Sequence, residues 1–100
     1  MCIRKQYLKN GLCSVTLSLP GTKAVSAKKV SVLGDFNGWN REANPMNHLK
    51  NGSFKLTLKL EKDHTYQFRY LINDKKWEND PEADEQVPNY LGDRNSLIHV

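Results

Sequence analysis

Apolar and polar residues alternate along three stretches of this chain. Between Cys13 and Leu19 the apolar side chains Cys13, Val15, Leu17 and Leu19 are separated by Ser14, Thr16 and Ser18. Further on, Phe54, Leu56, Leu58 and Leu60 alternate with Ser53, Lys55, Thr57 and Lys59. Tyr66, Phe68, Tyr70 and Ile72 form a third set, with Gln67, Arg69 and Leu71 turned the other way. A period of two puts successive side chains on opposite faces of a strand, so each stretch predicts a strand with one buried face. Residues 30–33 and 97–100 are shorter candidates.

Turn signals separate these runs: Pro20-Gly21, Gly34-Asp35, Asn37-Gly38, Asn51-Gly52, Asn73-Asp74, Asp80-Pro81 and Leu91-Gly92-Asp93. Asn51-Gly52 ahead of the second run, and Glu61-Lys62-Asp63 ahead of the third, read as a meander of antiparallel hairpins. No window carries a helical period of 3.6. The pattern predicts an all-β, immunoglobulin-like antiparallel β-sandwich without the Cys…Trp…Cys hallmark of antibody domains.

The chain has 100 residues, 38% apolar and 26% charged. That is the size and balance of one globular domain over residues 1–100, with residues 1–10 expected to be flexible. No apolar run approaches the ~18 residues of a membrane span. The charged start without an apolar core predicts no secretory signal. Cys2 and Cys13 are expected to be reduced thiols, which points to a cytoplasmic setting. The net charge of +4 first suggests a polyanion partner. Its distribution argues otherwise, because the basic residues are scattered while Glu78, Asp80, Glu82, Asp84, Glu85 and Asp93 crowd one stretch. Neither nucleic acid nor membrane is an expected partner.

Candidate chemistry starts from the two tryptophans. A pyranose ring presents an apolar C–H face that packs on an aromatic ring, and a hydroxyl rim that needs Arg, Asn or Asp. Trp39 closes the run Gly34-Asp35-Phe36-Asn37-Gly38-Trp39, in which only one of Phe36 and Trp39 turns inward easily. Trp77 sits among polar neighbours, between Asn73-Asp74-Lys75-Lys76 and Glu78-Asn79-Asp80. Each tryptophan, taken alone, fits a core position better than a sugar platform. Catalysis finds less support. The acids of residues 78–85 lie in a loop-like stretch, and His48, His64 and His99 are dispersed with no nucleophile motif nearby. Metal-ligand spacing is absent and no cofactor is expected.

Four ordered blocks carry a resemblance: Val32-Leu33-Gly34-Asp35-Phe36-Asn37-Gly38-Trp39, Tyr66-Gln67-Phe68-Arg69-Tyr70-Leu71-Ile72, Trp77-Glu78-Asn79-Asp80-Pro81, and Leu91-Gly92-Asp93-Arg94-Asn95-Ser96. Together they resemble the glycogen-binding, family-48 carbohydrate-binding modules, immunoglobulin-like domains of the early-set group. That family includes the module of the AMP-activated protein kinase beta subunit and the domains that precede the catalytic barrel of isoamylases and branching enzymes. The resemblance covers about three quarters of the chain. It implies non-catalytic binding of α-1,4-glucan, either free-standing or as an accessory to a carbohydrate-active enzyme; a protein-docking or scaffold role is the alternative. Carried over by position, Trp39 and Trp77 are the stacking platforms and Arg69 donates to hydroxyls. Leu91 presses on the glucan turn, while Asp93 and Asn95 read hydroxyls along the rim. Two of these depart from the kinase modules, which carry lysine at the position of Arg69 and threonine at that of Asp93. The turn at 73–76 is also about one residue longer than theirs.

Overall fold

The computed structural model describes residues 2–22, 27–89 and 92–100. The strands are β1 (Cys2–Tyr7), β2 (Leu12–Leu19), β3 (Val30–Gly34), β4 (Asn47–His48), β5 (Phe54–Glu61), β6 (Thr65–Ile72), β7 (Lys76–Glu78), β8 (Glu85–Pro88) and β9 (Arg94–His99). A 3-10 turn, Asp35–Asn37, follows β3. The first sheet runs β1-β2-β5-β4 and the second β3-β6-β9-β8, with β7 beside the far end of β6. All pairings are antiparallel. This is the expected immunoglobulin-like early-set sandwich.

The period-two pattern does what it predicts in β2 and β5. Cys13, Val15, Leu17 and Leu19 are fully buried; Phe54, Leu58 and Leu60 stand beside them on the same sheet, and Phe68, Tyr70 and Ile98 face them across the core from the second sheet. Removing such side chains from water is the main drive for joining the two sheets, about 1.5–3 kcal/mol for each fully buried residue. Phe36 and Tyr66 pack on the edge of this cluster, so of the pair Phe36 and Trp39 it is Phe36 that turns inward.

Two strands break the alternation. All of β3 and residues 68–72 of β6 are buried, on both faces of the sheet. Leu33 and Leu71 are 2% and 1% exposed yet stand outside the inter-sheet cluster. Their burial means that chain lies over the outer face of the second sheet. Part of that cover is the segment around residues 44–46, which bonds to the free edge of β3 through Val32 N to Asn44 O and Met46 N to Val30 O. The rest is built by the loops and strands of the site described below.

Residues 1–10 were expected to be flexible. In the structure β1 pairs along its whole length with β2, from Cys2 opposite Ser18 to Tyr7 opposite Cys13. A cation on the core-facing side hides its pattern. Lys5 shares that side with Ile3 and Tyr7 and is neutralised by Asp84 at 2.7 Å. Cys13 is a free, buried thiol.

The turn from β6 to β7 is tight. Asn73 and Asp74 both have positive φ, 52° and 59°, and Lys75 N donates to Ile72 O at 3.0 Å. Positive φ at both central positions matches the twist of the flanking strands, and Asn and Asp tolerate it better than most residues. Asn73 Oδ1 also accepts from Lys28 N and Lys29 N, which fixes the hairpin against the entrance to β3.

After β7 the chain crosses to β8 over a buried carboxylate. Asp80 has no exposed surface. Its Oδ2 accepts from the Tyr70 hydroxyl at 2.7 Å and its Oδ1 from Glu82 N at 2.9 Å. Asp80 N donates to Ser96 Oγ, and Gln86 Nε2 donates to Asp80 O. Burial, and then the adjacent Asp80 charge, push the Tyr70 hydroxyl far above the ordinary phenol range. The phenol therefore stays a donor. Tyr70→Phe leaves Asp80 Oδ2 buried without that donor, and should cost about 1–3 kcal/mol of folding stability. Urea denaturation checks this, and an unchanged midpoint would refute it.

Candidate functional site

Loops and strands enclose an open groove of about 850 Å³ on the outer face of the second sheet. Leu33 of β3 contributes, with Asp35, Trp39 and Arg41 from the loop that follows. Gln67 and Arg69 come from β6 and Trp77 from β7. Pro88, Asn89, Asp93 and Asn95 close the other side.

Trp39 is positioned by a chain of small constraints. β3 ends at Gly34, where an added Cβ would lie 2.6 Å from Gln67 O and 2.9 Å from Phe68 Cβ, so only glycine permits this approach to β6. Asn37 then ties the loop together. Its Oδ1 accepts from Gly34 N and Trp39 N, and its Nδ2 donates to Val32 O and to Asn44 Oδ1. Gly38 and Trp39 both take positive φ, 65° and 60°. For a bulky residue such as Trp39 that conformation costs roughly 1–3 kcal/mol and persists only because its surroundings hold it. Asp35 supplies the last restraint, with Oδ1 accepting the indole N–H at 3.1 Å and Oδ2 accepting Gln67 N at 2.9 Å. The Trp39 ring is thus fixed to β6 by its edge, and only its faces remain for a ligand.

Arg69, Trp77 and Asp93 form the second unit. Trp77 stands opposite Leu71 in register and therefore on the outer face, 36% exposed. The Arg69 guanidinium lies 5.1 Å from the centre of the Trp77 ring. Such cation–π contacts contribute about 0.5–2 kcal/mol. Arg69 Nη2 donates to Asp93 Oδ2 at 2.9 Å, although the two side chains differ sharply in exposure, 10% against 60%. Arg69 Nε is buried without a partner. The Asp93 carboxyl is held below the usual carboxylate range, first by the Arg94 N–H bonded to its Oδ1 and next by the Arg69 charge.

Asn95 anchors the third side. Its Nδ2 donates to Gln67 Oε1 at 3.0 Å and its Oδ1 accepts from Asn89 Nδ2 at 3.1 Å. This row of amides runs from β6 across β9 toward the end of β8.

Five of the six residues singled out in the sequence, Trp39, Arg69, Trp77, Asp93 and Asn95, line this one groove. Leu91 lies outside the described residues. Asp35, Arg41, Gln67 and Asn89 line it too and were not singled out. Gln67 had a signal, since it precedes Arg69 by one alternation on the same polar face, and so did Asp35, which lies within the motif that ends at Trp39; Arg41 and Asn89 had none. Each carboxylate of the lining already accepts two hydrogen bonds, Asp35 from Trp39 and Gln67, Asp93 from Arg69 and Arg94. What the groove offers is two indoles, a guanidinium held under one of them, and a row of amides.

Residues 24–84 match the family of carbohydrate-binding module 48 (isoamylase N-terminal domain), and the chain belongs to it. Modules of this family bind carbohydrate and are non-catalytic. No curated protein sequence matches the chain. Among solved structures, the enterobactin esterase FES from Shigella flexneri, in the presence of 2,3-di-hydroxy-N-benzoyl-glycine, aligns with 98% of this chain at a TM-score of 0.74. The identity is 12%, so the likeness is one of fold, and this chain spans 32% of the length of that one. Among the described residues no helix is long and apolar enough to cross a membrane.

The Asp93 carboxyl should titrate below the ~3.9 of a free aspartate. Its charge-dependent bond to Arg69 is present above that ordinary value and is lost as pH falls through the lowered one. Arg69→Gln should move the titration only partway back, because the Arg94 N–H bond remains. Carboxyl NMR measures this, and a titration unchanged by Arg69→Gln would show that the pair does not hold in solution.

Proposed function

We propose that this family-48 module captures α-1,4-linked glucan chains, of the glycogen, starch and malto-oligosaccharide class, in the groove on the outer face of its second sheet. The observation that carries this reading is that Trp39 and Trp77, far apart in sequence, line the same groove with Arg69, Asp93 and Asn95 between and beside them. Two aromatic faces give apolar contact area at little cost in rotamer freedom. Glucose units stack on Trp39 and on the face of Trp77 turned away from Arg69. The Arg69 and Asn95 donors and the Asp93 carboxylate meet hydroxyls along the rim, and Gln67 and Asn89 extend the row.

Arg69 is already largely desolvated and its neighbours already hold it, so ordering it on binding costs little. Asp93, by contrast, remains exposed and accepts hydroxyl protons at the open edge. Leu91 keeps the role that the resemblance implies, contact with the turn of the glucan. A shallow, wet groove of this kind gives modest affinity, on the order of millimolar to tens of micromolar, or roughly −4 to −6 kcal/mol. Weak, repeated capture is enough to hold a larger assembly, such as one with a carbohydrate-active enzyme, on a polymer that offers many equivalent sites.

Titration with maltoheptaose or β-cyclodextrin, followed by tryptophan fluorescence and calorimetry, tests the proposal. Binding should appear in the stated range. Trp39→Ala and Trp77→Ala should each weaken it about tenfold or more, the loss of one stacking platform of about 1–3 kcal/mol, while the circular dichroism spectrum stays that of the parent. Absence of heat and of spectral change at millimolar sugar overturns the proposal, and so does full binding by both variants.

A further inference from the structure

The outer face of the first sheet, on the opposite side of the sandwich from the groove, is a second surface with a definite chemistry. Register puts Arg4, Thr16 and Thr57 side by side across β1, β2 and β5. On one side of this row lie Ser18 and Lys55, and on the other Gln6, Ser14 and Lys59. That these residues share the face away from the core follows from the full burial of Val15 and Leu17 between them, and from the 3.0 Å contact of the Thr16 and Thr57 hydroxyls. The three rows hold no acid. None of the Arg4, Lys55 and Lys59 side chains has an ion-pair or hydrogen-bond partner among the described residues. The face therefore carries +3 of a chain whose net charge is +4.

The nearest acid on the same sheet is Glu61 at the end of β5, which lies 3.4 Å from His64. Asp84 and Glu85 are engaged elsewhere, with Lys5 and His99. Glu61 stands at one end of the face and no acid lies among its three rows, so the excess positive charge is open to an anionic occupant.

The lattice of the sheet narrows the kind of occupant. Lys55 and Lys59 are four residues apart on one strand, about 13 Å, and Arg4 stands two strands away, roughly 10 Å across. Three cations at this spacing are too sparse to neutralise a nucleic-acid backbone, whose charges come every ~1.7 Å of duplex axis. No aromatic or large apolar side chain stands on the three rows to enter a lipid layer. Short hydroxyls fill the intervals and can donate to carboxylates. An extended acidic segment, with carboxylates four residues apart, has the same 13 Å repeat. A second copy of this face is ruled out by like charge.

We propose that the outer face of β1, β2 and β5 docks an extended acidic segment of a partner protein, leaving the groove on the far side free. The module then joins two ligands at once, a carbohydrate in the groove and an acidic polypeptide behind it. Because the contacts are exposed, the docking falls steeply with salt.

The test uses the intact chain, a fluorescein-labelled alternating Glu-Thr peptide, and 15N amide shifts. Binding at low salt should shift amides of β1, β2 and β5 and leave those of β7 unmoved. Lys55→Glu with Lys59→Glu should weaken it tenfold or more, while Lys62→Glu, outside the three rows, changes it less than twofold. The proposal is overturned if the peptide does not bind at low salt or if binding survives the double charge reversal. It is also overturned if heparin or phosphatidylserine vesicles shift these amides where the peptide does not. Malto-oligosaccharide binding is measured in the same samples, so failure here and failure of the groove reading are read separately.

Discussion

A carboxylate with no exposed surface has to find its hydrogen bonds inside the fold, and Asp80 finds them in the Tyr70 hydroxyl and the Glu82 N–H, while its backbone is held from two further strands. The Tyr70 hydroxyl reaches it from β6, the Ser96 hydroxyl meets its N–H from β9, and the Gln86 amide holds its carbonyl from β8. Ser96 is in turn bonded to Asn79, whose amide donates to Arg94 O. One aspartate therefore fixes where the chain leaves β7, where it enters β8 and how β9 lies between them. The site depends on that arrangement. Trp77 rides on β7, while Asp93 and Asn95 precede and begin the run of β9 beside it. Loosening the crossing would separate the indole from the polar groups that face it.

Arg69 joins these two halves within the groove itself. Its guanidinium lies against the Trp77 ring and reaches across to Asp93. The pair is asymmetric in a useful way. The arginine is mostly buried, so its desolvation is met when the chain folds, and the aspartate stays in water, so the contact adds little to stability. Its effect is geometric, holding the guanidinium over the indole face while one nitrogen reaches Asp93. A lysine, the residue of the kinase modules at this position, is a point donor on a flexible stem and could not hold both partners in one plane.

Much of the fold was legible because the core is built on a strict alternation. β2 and β5 follow from their period of two, as does the core-facing half of β6, and Asn73-Asp74 and Asn51-Gly52 announce hairpins through residues that tolerate positive φ. What escaped has a common physical cause. β1 carries Lys5 at a core-facing position, neutralised by an aspartate 79 residues away in sequence. β7 is three residues long, and its tryptophan faces outward, so no alternation could show. In the site, the tryptophans, Arg69, Asp93 and Asn95 were marked by ordered motifs. Asp35 stands in the first of these motifs but was given no role, because that role depends on the indole N–H and the Gln67 N–H meeting the same carboxylate, a coincidence that only the folded chain creates. Asn89 and Arg41 escaped for the same reason.

The distribution of charge gives the net +4 a different meaning from the one composition first suggests. Within the groove Arg69 is matched by Asp93, and the carboxylate of Asp35 lies with Arg41 in the same lining. The formal charges there cancel, which suits a neutral ligand whose recognition rests on ring faces and hydroxyls. Within the acid-rich stretch of residues 78–85, Asp80 is held by Tyr70, Asp84 pairs with Lys5 and Glu85 with His99. The imbalance therefore collects on the first sheet, where Arg4, Lys55 and Lys59 stand among hydroxyls without a counter-charge. A sandwich has two outer faces and can load them with different chemistry because the core between them needs only the inward half of each strand. On the second sheet that freedom produced a covered, half-buried groove with its charges paired. On the first it left an open and uncompensated surface, and the asymmetry lies in the outward residues of β1, β2 and β5, which the core does not constrain.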